Sequence, residues 1–132
     1  MRQDSDNPVY YVQYAHARIC SLIANLAEDG AAVPARANVD PALLSTDEER
    51  SLVKTLAQYP EEIRLAARDY DPSRINRYLT TLAGDFHRFY NACRMKGEES
   101  ALQSARLKLA DCTRLVLANG LGLLGVTAPS KM

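Results

Sequence analysis

The stretch PSRINRYLTTLAGDFHRFYNAC, residues 72–93, decides the fold class. Its apolar residues Ile75, Leu79, Leu82, Phe86, Phe89 and Cys93 recur at spacings of four and three, the period of one face of an α-helix, so this stripe is read as a core face. Asp71-Pro72 opens the helix, with proline at a position whose N–H would have no helical partner. Downstream, Gly97 with Glu98 and Glu99 breaks the pattern. A last long helix follows, carrying Leu102, Ala105, Leu109, Cys112 and Val116, and Asn119-Gly120 is expected to cap its end. Upstream, Ser45 with Glu48 three residues on makes a capping box for a helix through Leu52, Val53, Leu56 and Ala57, ending at Tyr59. Pro60 then opens a short helix whose Glu61 and Glu62 complement the helix dipole and whose inner face is Ile63, Ala66 and Ala67. At the start, Asn7-Pro8 predicts an N-cap and first helical residue, and the helix runs to about Glu28 before Asp29-Gly30. Between Gly30 and Leu44, with prolines at 34 and 41 and no sustained period, a surface loop is expected. The result is an all-α fold: an antiparallel bundle of four to five helices, one domain over residues 1–132 with the 30–44 loop inside it.

Composition fits that picture. The 132 residues are 47% apolar and 24% charged, with 6 Gly and 6 Pro, which excludes collagen-like, disordered and low-complexity classes. Three cysteines, Cys20, Cys93 and Cys112, form no Cys-x-x-Cys pair and read as reduced, buried thiols. The apolar run from Leu115 to Val126 is broken by Asn119 and three glycines and is too short to span a bilayer, and the first seven residues are polar with two aspartates. A cytoplasmic protein without membrane contact is expected.

Lys+Arg and Asp+Glu are 16 each, a net charge of zero, which argues against a nucleic-acid binder that relies on bulk positive charge. The zero is a cancellation. Residues 1–70 hold 7 basic and 11 acidic residues, net −4, and residues 71–132 hold 9 and 5, net +4. The basic excess concentrates between Asp71 and Lys96, where Arg74, Arg77, Arg88, Arg94 and Lys96 face two acidic residues.

Two side stripes share one construction. In the first helix the inner face is Val12, Ala15, Ile19, Leu22 and Leu26, and Tyr11, Tyr14 and Arg18 lie roughly 80° to its side. In the helix from Pro72, His87, Tyr90 and Arg94 are displaced by roughly 95° from the core stripe. Rings and guanidinium planes at such spacing suit a stacking platform for unpaired bases, with the arginines near phosphates. The same margins also suit rings that bury their faces at a core edge, or a scaffold bundle that docks a protein helix. Other chemistry lacks its constellation. His16 and His87 are 71 positions apart with no metal-ligand partners at hand, and there is no P-loop or Gly-x-Ser-x-Gly. Gly120, Gly122 and Gly125 have Gly-x-Gly-x-x-Gly spacing but follow a helix, where a dinucleotide site needs a strand. The serines have no adjacent base, and the carboxylates are expected on solvated helix faces.

Three separated segments carry a resemblance. Asn7 to Arg18 (NPVYYVQYAHAR), Phe86 to Arg94 (FHRFYNACR) and Leu117 to Val126 followed by Ala128-Pro129-Ser130-Lys131-Met132 resemble, in that order, segments of the C-terminal helical domain of bacterial-type arginyl-tRNA synthetases. That domain is named for an Asp-Ala-Leu-Arg signature, a string that does not occur here. The resemblance implies an anticodon-binding domain with no cofactor of its own. It also implies a monomeric parent enzyme that joins arginine to its tRNA with ATP and Mg on a catalytic domain in cis, absent from this chain. No aminoacylation is expected of the chain alone. Because every arginine codon has G in the middle, an arginine tRNA always presents cytosine at the middle of its anticodon, and a reader must meet the cytosine N4 amino group with an acceptor. In the family, tyrosines matching Tyr11 and Tyr14, an aromatic matching Tyr90 and the terminal methionine, here Met132, contact the anticodon loop. Arg18 and Arg94 are then expected at phosphates, with His87 beside them or simply on the surface.

Overall fold

A computed structural model describes residues 8–35 and 39–132 of the chain. Within them lie five α-helices: α1 (Pro8–Glu28), α2 (Asp47–Ala57), α3 (Tyr59–Arg68), α4 (Pro72–Ala92) and α5 (Ser100–Leu123), with a single 3-10 turn at Pro41–Leu43 before α2. No strand occurs among the described residues, as an all-α bundle requires. The predicted N-cap Asn7 lies outside the described residues.

Helix α4 is the hub, packing on every other helix. Its stripe is buried as expected: Leu79, Leu82, Phe86 and Phe89 have no exposed surface, and Ile75 retains 8%. Val12, Ala15 and Ile19 of α1 are likewise fully enclosed. Burying side chains of this size stabilises the fold by roughly 1.5–3 kcal/mol each.

Helix α5 departs from the expected pattern. The stripe Leu102, Ala105, Leu109, Cys112, Val116 marks only one flank, and three of its members, Leu102, Cys112 and Val116, are part-exposed. Ala105, Leu107, Leu109, Ala110, Thr113, Leu117 and Leu121 are buried around a wider arc, because α5 packs against α1, α2, α4 and the 3-10 turn. A helix enclosed on several sides loses its single apolar face. Nor does α5 stop at Gly120. It continues to Leu123 and ends in a Schellman motif, with Gly125 at φ +74, Val126 N–H donating to Leu121 O (2.9 Å) and Gly125 N–H to Gly122 O (3.0 Å). Gly120 has a different task. A Cβ there would lie 2.6 Å from Leu79 Cδ2, so it is the gap that lets α5 close onto α4. The Gly-x-Gly-x-x-Gly spacing is thus a helix contact followed by a helix end.

Three further expectations are corrected. The capping box of α2 is set one residue later, with Thr46 as N-cap accepting from Glu49 N–H (3.1 Å) while Glu49 Oε1 accepts from Thr46 N–H (3.1 Å). That register turns Glu49 inward, where Arg106 Nε donates to its Oε2 at 2.9 Å. Carboxylates are therefore not all on solvated faces: Glu49 is fully buried, and Asp85 and Asp111 are nearly so. Burial pushes the Glu49 carboxyl up, yet the Arg106 hydrogen bond and those at Thr46 outweigh it and hold the group below its ordinary value. Asp85 accepts from the Thr55 hydroxyl (2.5 Å) and from Arg88, and the Tyr78 hydroxyl donates to Thr55 O (2.5 Å), knitting α2 to α4. Of the thiols, all free, only Cys93 is buried, and Cys20 and Cys112 are part-exposed.

The two helical glycines at contacts separate the roles. Leu79 is enclosed and cannot yield, so Gly120→Ala should destabilise by about 1–3 kcal/mol through overpacking. At Gly84 an added Cβ would meet only ordinary contacts, 3.6 Å from Arg88 and 3.8 Å from the Tyr11 hydroxyl, so Gly84→Ala should stabilise by about 0.5–1 kcal/mol. Denaturant unfolding of both variants reads the difference in sign.

Candidate nucleic-acid interface

The α1–α4 contact brings the two side stripes together. Tyr10, Tyr11, Tyr14 and Arg18 from α1, with His87 and Asn91 from α4, line an open groove of about 420 Å³. Gly84 of α4 faces Tyr11 here, since a Cβ at this glycine would lie 3.8 Å from the Tyr11 hydroxyl.

Geometry within the groove is built around Arg18. Its guanidinium carbon sits 4.6 Å from the centroid of the Tyr90 ring, a cation–π contact. Its Nη1 lies 3.4 Å from His87 Nδ1, which as the partner of a guanidinium must be the acceptor, leaving the proton on Nε2. The His87 ring also meets Tyr11, centroids 5.6 Å apart and planes at 55°. His87 is therefore half-buried within the cluster and is not a plain surface histidine. Burial first, then the neighbouring Arg18 charge, lower its pKa below the ordinary imidazole value, so the ring is neutral at pH 7.

The rings differ in what they leave open. Tyr90 is held between Phe86, at 6.2 Å, and Arg18. Tyr14 is 44% exposed and offers its ring to solvent. Charge is open too. Most described arginines are matched by a carboxylate, as Arg74 is by Glu62, Arg88 by Asp85 and Arg114 by Asp111. Arg18 has no carboxylate partner among the described residues; its recorded contacts are the Tyr90 and His87 rings.

Two expected members lie elsewhere. Arg94 does not continue the α4 stripe, because the helix ends at Ala92 and Cys93 is already extended. It projects from the following segment into a neighbouring cavity, while its backbone O accepts from Arg106 Nη1 at 2.6 Å. Met132 is 53% exposed at the end of a tail that does not line the groove. That tail is tied to α1 by Gln13 Nε2 donating to Thr127 O (2.9 Å) and His16 Nδ1 to Pro129 O (2.9 Å). Gln13 and His16 sit roughly 200° and 140° around α1 from Tyr11, on the opposite flank. Tyr10 and Asn91 are additions. Each lies four residues from a stripe member, Tyr10 from Tyr14 and Asn91 from His87, so both sit at the edge of a stripe at helical spacing.

An all-α bundle with an aromatic, cationic groove at the meeting of its first and fourth helices is the class of protein defined so far. The model of the DALR anticodon binding domain matches residues 12–132, and the chain belongs to that family. Among curated relatives, the arginine–tRNA ligase of Ruminiclostridium cellulolyticum is 49% identical over 132 residues, covering 100% of this chain and 23% of the relative. That of Symbiobacterium thermophilum is 54% identical over 130 residues, covering 98% and 23%. The Thermus thermophilus arginyl-tRNA synthetase structure superposes with a TM-score of 0.78 at 31% identity, over 92% of this chain and 21% of that one. The chain thus spans about a quarter of the length of these relatives, and the protein-docking alternative is not favoured by them.

Because the Arg18 charge is the second cause of the His87 shift, Arg18→Ala should move the His87 titration midpoint upward. Burial, the larger cause, should keep it below the ordinary value. Imidazole proton resonances followed against pH measure this, and an unmoved midpoint would contradict the contact.

Proposed function

We propose that the chain is the anticodon-reading module of an arginine–tRNA ligase and that the α1–α4 groove receives unpaired bases of the tRNA anticodon loop. One observation carries the reading. The groove combines an open tyrosine ring, Tyr14, with a guanidinium, Arg18, that no described carboxylate neutralises. An exposed ring supplies a stacking face at little entropic cost, and an unneutralised guanidinium is what a phosphodiester seeks.

In this account Tyr14 stacks on a base, Tyr90 carries Arg18 on its ring and lines the neighbouring cavity, and Tyr11 offers its hydroxyl or a second face. Arg18 and Arg94 approach phosphates, and Met132 with the tail backbone reaches the middle cytosine, whose N4 amino group needs an acceptor. His87, neutral and already accepting from Arg18, orients that guanidinium. The module acts in cis with a catalytic domain that supplies ATP and Mg chemistry, in a monomeric cytoplasmic enzyme. Among the described residues no helix is long and apolar enough to cross a membrane.

Competition between arginine-tRNA transcripts that differ only at the middle anticodon base is the test. The transcript with cytosine should win, and equal affinity for all would overturn the reading. Tyr14→Ala should weaken binding by about 1–3 kcal/mol with helicity unchanged, as expected for a stacked base. Affinity should fall by about 0.7 log units per log unit of salt for each phosphate neutralised.

A further inference from the structure

The C-terminal tail is fastened to α1 at two places, both by side chains of the helix. Gln13 Nε2 donates to Thr127 O and His16 Nδ1 to Pro129 O, each at 2.9 Å. Donor and acceptor numbers rise together, so the tail runs alongside α1 in the same direction. Ahead of these bonds the chain is fixed by the end of α5, where Val126 N–H donates to Leu121 O, and Val126 and Ala128 pack against the core. Beyond Pro129 the last residues, Ser130, Lys131 and Met132, are exposed.

His16 is the inner anchor. It is 5% exposed, and because a carbonyl oxygen can only accept, its Nδ1 must carry the proton. Among the described residues the ring's other recorded neighbour is Cys20 Sγ, at 3.8 Å from Nδ1 and 3.9 Å from Nε2, so a buried imidazole gives its one short hydrogen bond to the tail. Gln13 and His16 flank Tyr14 in sequence, within the stretch Tyr11 to Arg18 that supplies rings and guanidinium. One rigid piece of helix thus carries the stacking face on one flank and the root of the tail on the other. From Pro129 the last three residues span at most about 10 Å, about the diameter of a helix with its side chains. Released back to Val126, six residues span about 20 Å.

We infer that Gln13 and His16 are positioning residues, which hold the tail on α1 so that its last three residues meet the middle anticodon base beside the ring face. The inference rests on the reading of Met132 and the tail given above. Doubling the free chain from three residues to six lowers the local concentration of its end about threefold, by the −3/2 power of length. That loss falls only on the transcript the tail reads.

The test is the affinity ratio between arginine-tRNA transcripts with cytosine and with uracil at the middle anticodon base, measured on the full chain and on a chain that ends at Ser130. Gln13→Glu/His16→Gln removes both bonds, since the new amide reaches the place of Nε2 and not of Nδ1, and should lower the ratio of the full chain about threefold. The added charge acts on both transcripts and cancels in the ratio. Gln13→Glu/His16→Asn returns a donor to the place of Nδ1 and should restore the ratio. In the chain that ends at Ser130 neither variant should change it further. Without any substitution, backbone 15N relaxation of the wild type should show Thr127 and Ala128 as ordered as the helices. Equal mobility at Ala128 and Met132, an unchanged ratio in the first variant, or an equal fall in the shortened chain overturns the positioning role and spares the anticodon reading. A shortened chain that keeps the full ratio removes the tail from the reading, and the positioning role with it. A wild-type ratio of one overturns the anticodon reading itself.

Discussion

The guanidinium of Arg106 is the contact on which the arrangement of the interface depends. From α5 it donates to Glu49 at 2.9 Å, reaches Glu98 at 3.4 Å and donates to Arg94 O at 2.6 Å. Glu49 closes the α2 capping box with its other oxygen, so one buried pair joins three parts of the chain: the start of α2, the second turn of α5 and the turn after α4. Such a pair is weak evidence of net stability, because desolvating both ions costs about what their attraction returns. Removing one partner is another matter, costing about 3–5 kcal/mol for the stranded charge. Its value here is positional, since a flexible turn after α4 would leave Arg94 and Lys96 without a fixed place beside Tyr90.

Helix packing then converts two weak signals into one arrangement. A tyrosine at the margin of an amphipathic helix is ordinarily a ring tucked against the core. Where α1 and α4 meet, Arg18 covers Tyr90 and contacts His87, His87 meets Tyr11, and Tyr14 stays open to solvent. The zero net charge of the chain fits this site. A small number of placed cations, one of them held on a ring face, gives local attraction for a phosphodiester without the indiscriminate affinity of a broadly basic surface.

What could be read from the residues follows from what periodicity records. A helix buried on one side, such as α4, writes its face into the spacing of Ile75, Leu79, Leu82, Phe86 and Phe89, and those positions are the core. Helix α5 is enclosed on several sides, so its pattern points to a flank, and Gly120 looks like a helix end when it is a packing gap against Leu79. Ser45 and Thr46 both offer a capping box, and the choice between them is made by Arg106, fifty-seven positions away from Glu49. Arg94 fits the stripe of His87 and Tyr90 only if α4 runs on past Ala92, and its end there is set by Cys93 turning extended. The Tyr11, Tyr14, Arg18, His87 and Tyr90 cluster was legible because each stripe obeys the helical repeat. Tyr10 and Asn91 were within reach of the same repeat, four residues from Tyr14 and His87, whereas the adjoining cavity depends on how two helices and a turn meet, which no local pattern encodes.

The central claim is that the face formed by α1 and α4 stacks on unpaired bases. Ring resonances of the tyrosines during titration with an arginine-tRNA anticodon stem-loop test it directly, because tyrosines occur on two parts of the molecule. The rings of Tyr11, Tyr14 and Tyr90 should shift on binding, while Tyr59 and Tyr78, stacked on each other at 5.5 Å between α3 and α4, stay in place. Shifts confined to Tyr59, Tyr70 or Tyr78, with the α1–α4 rings unmoved, would contradict it.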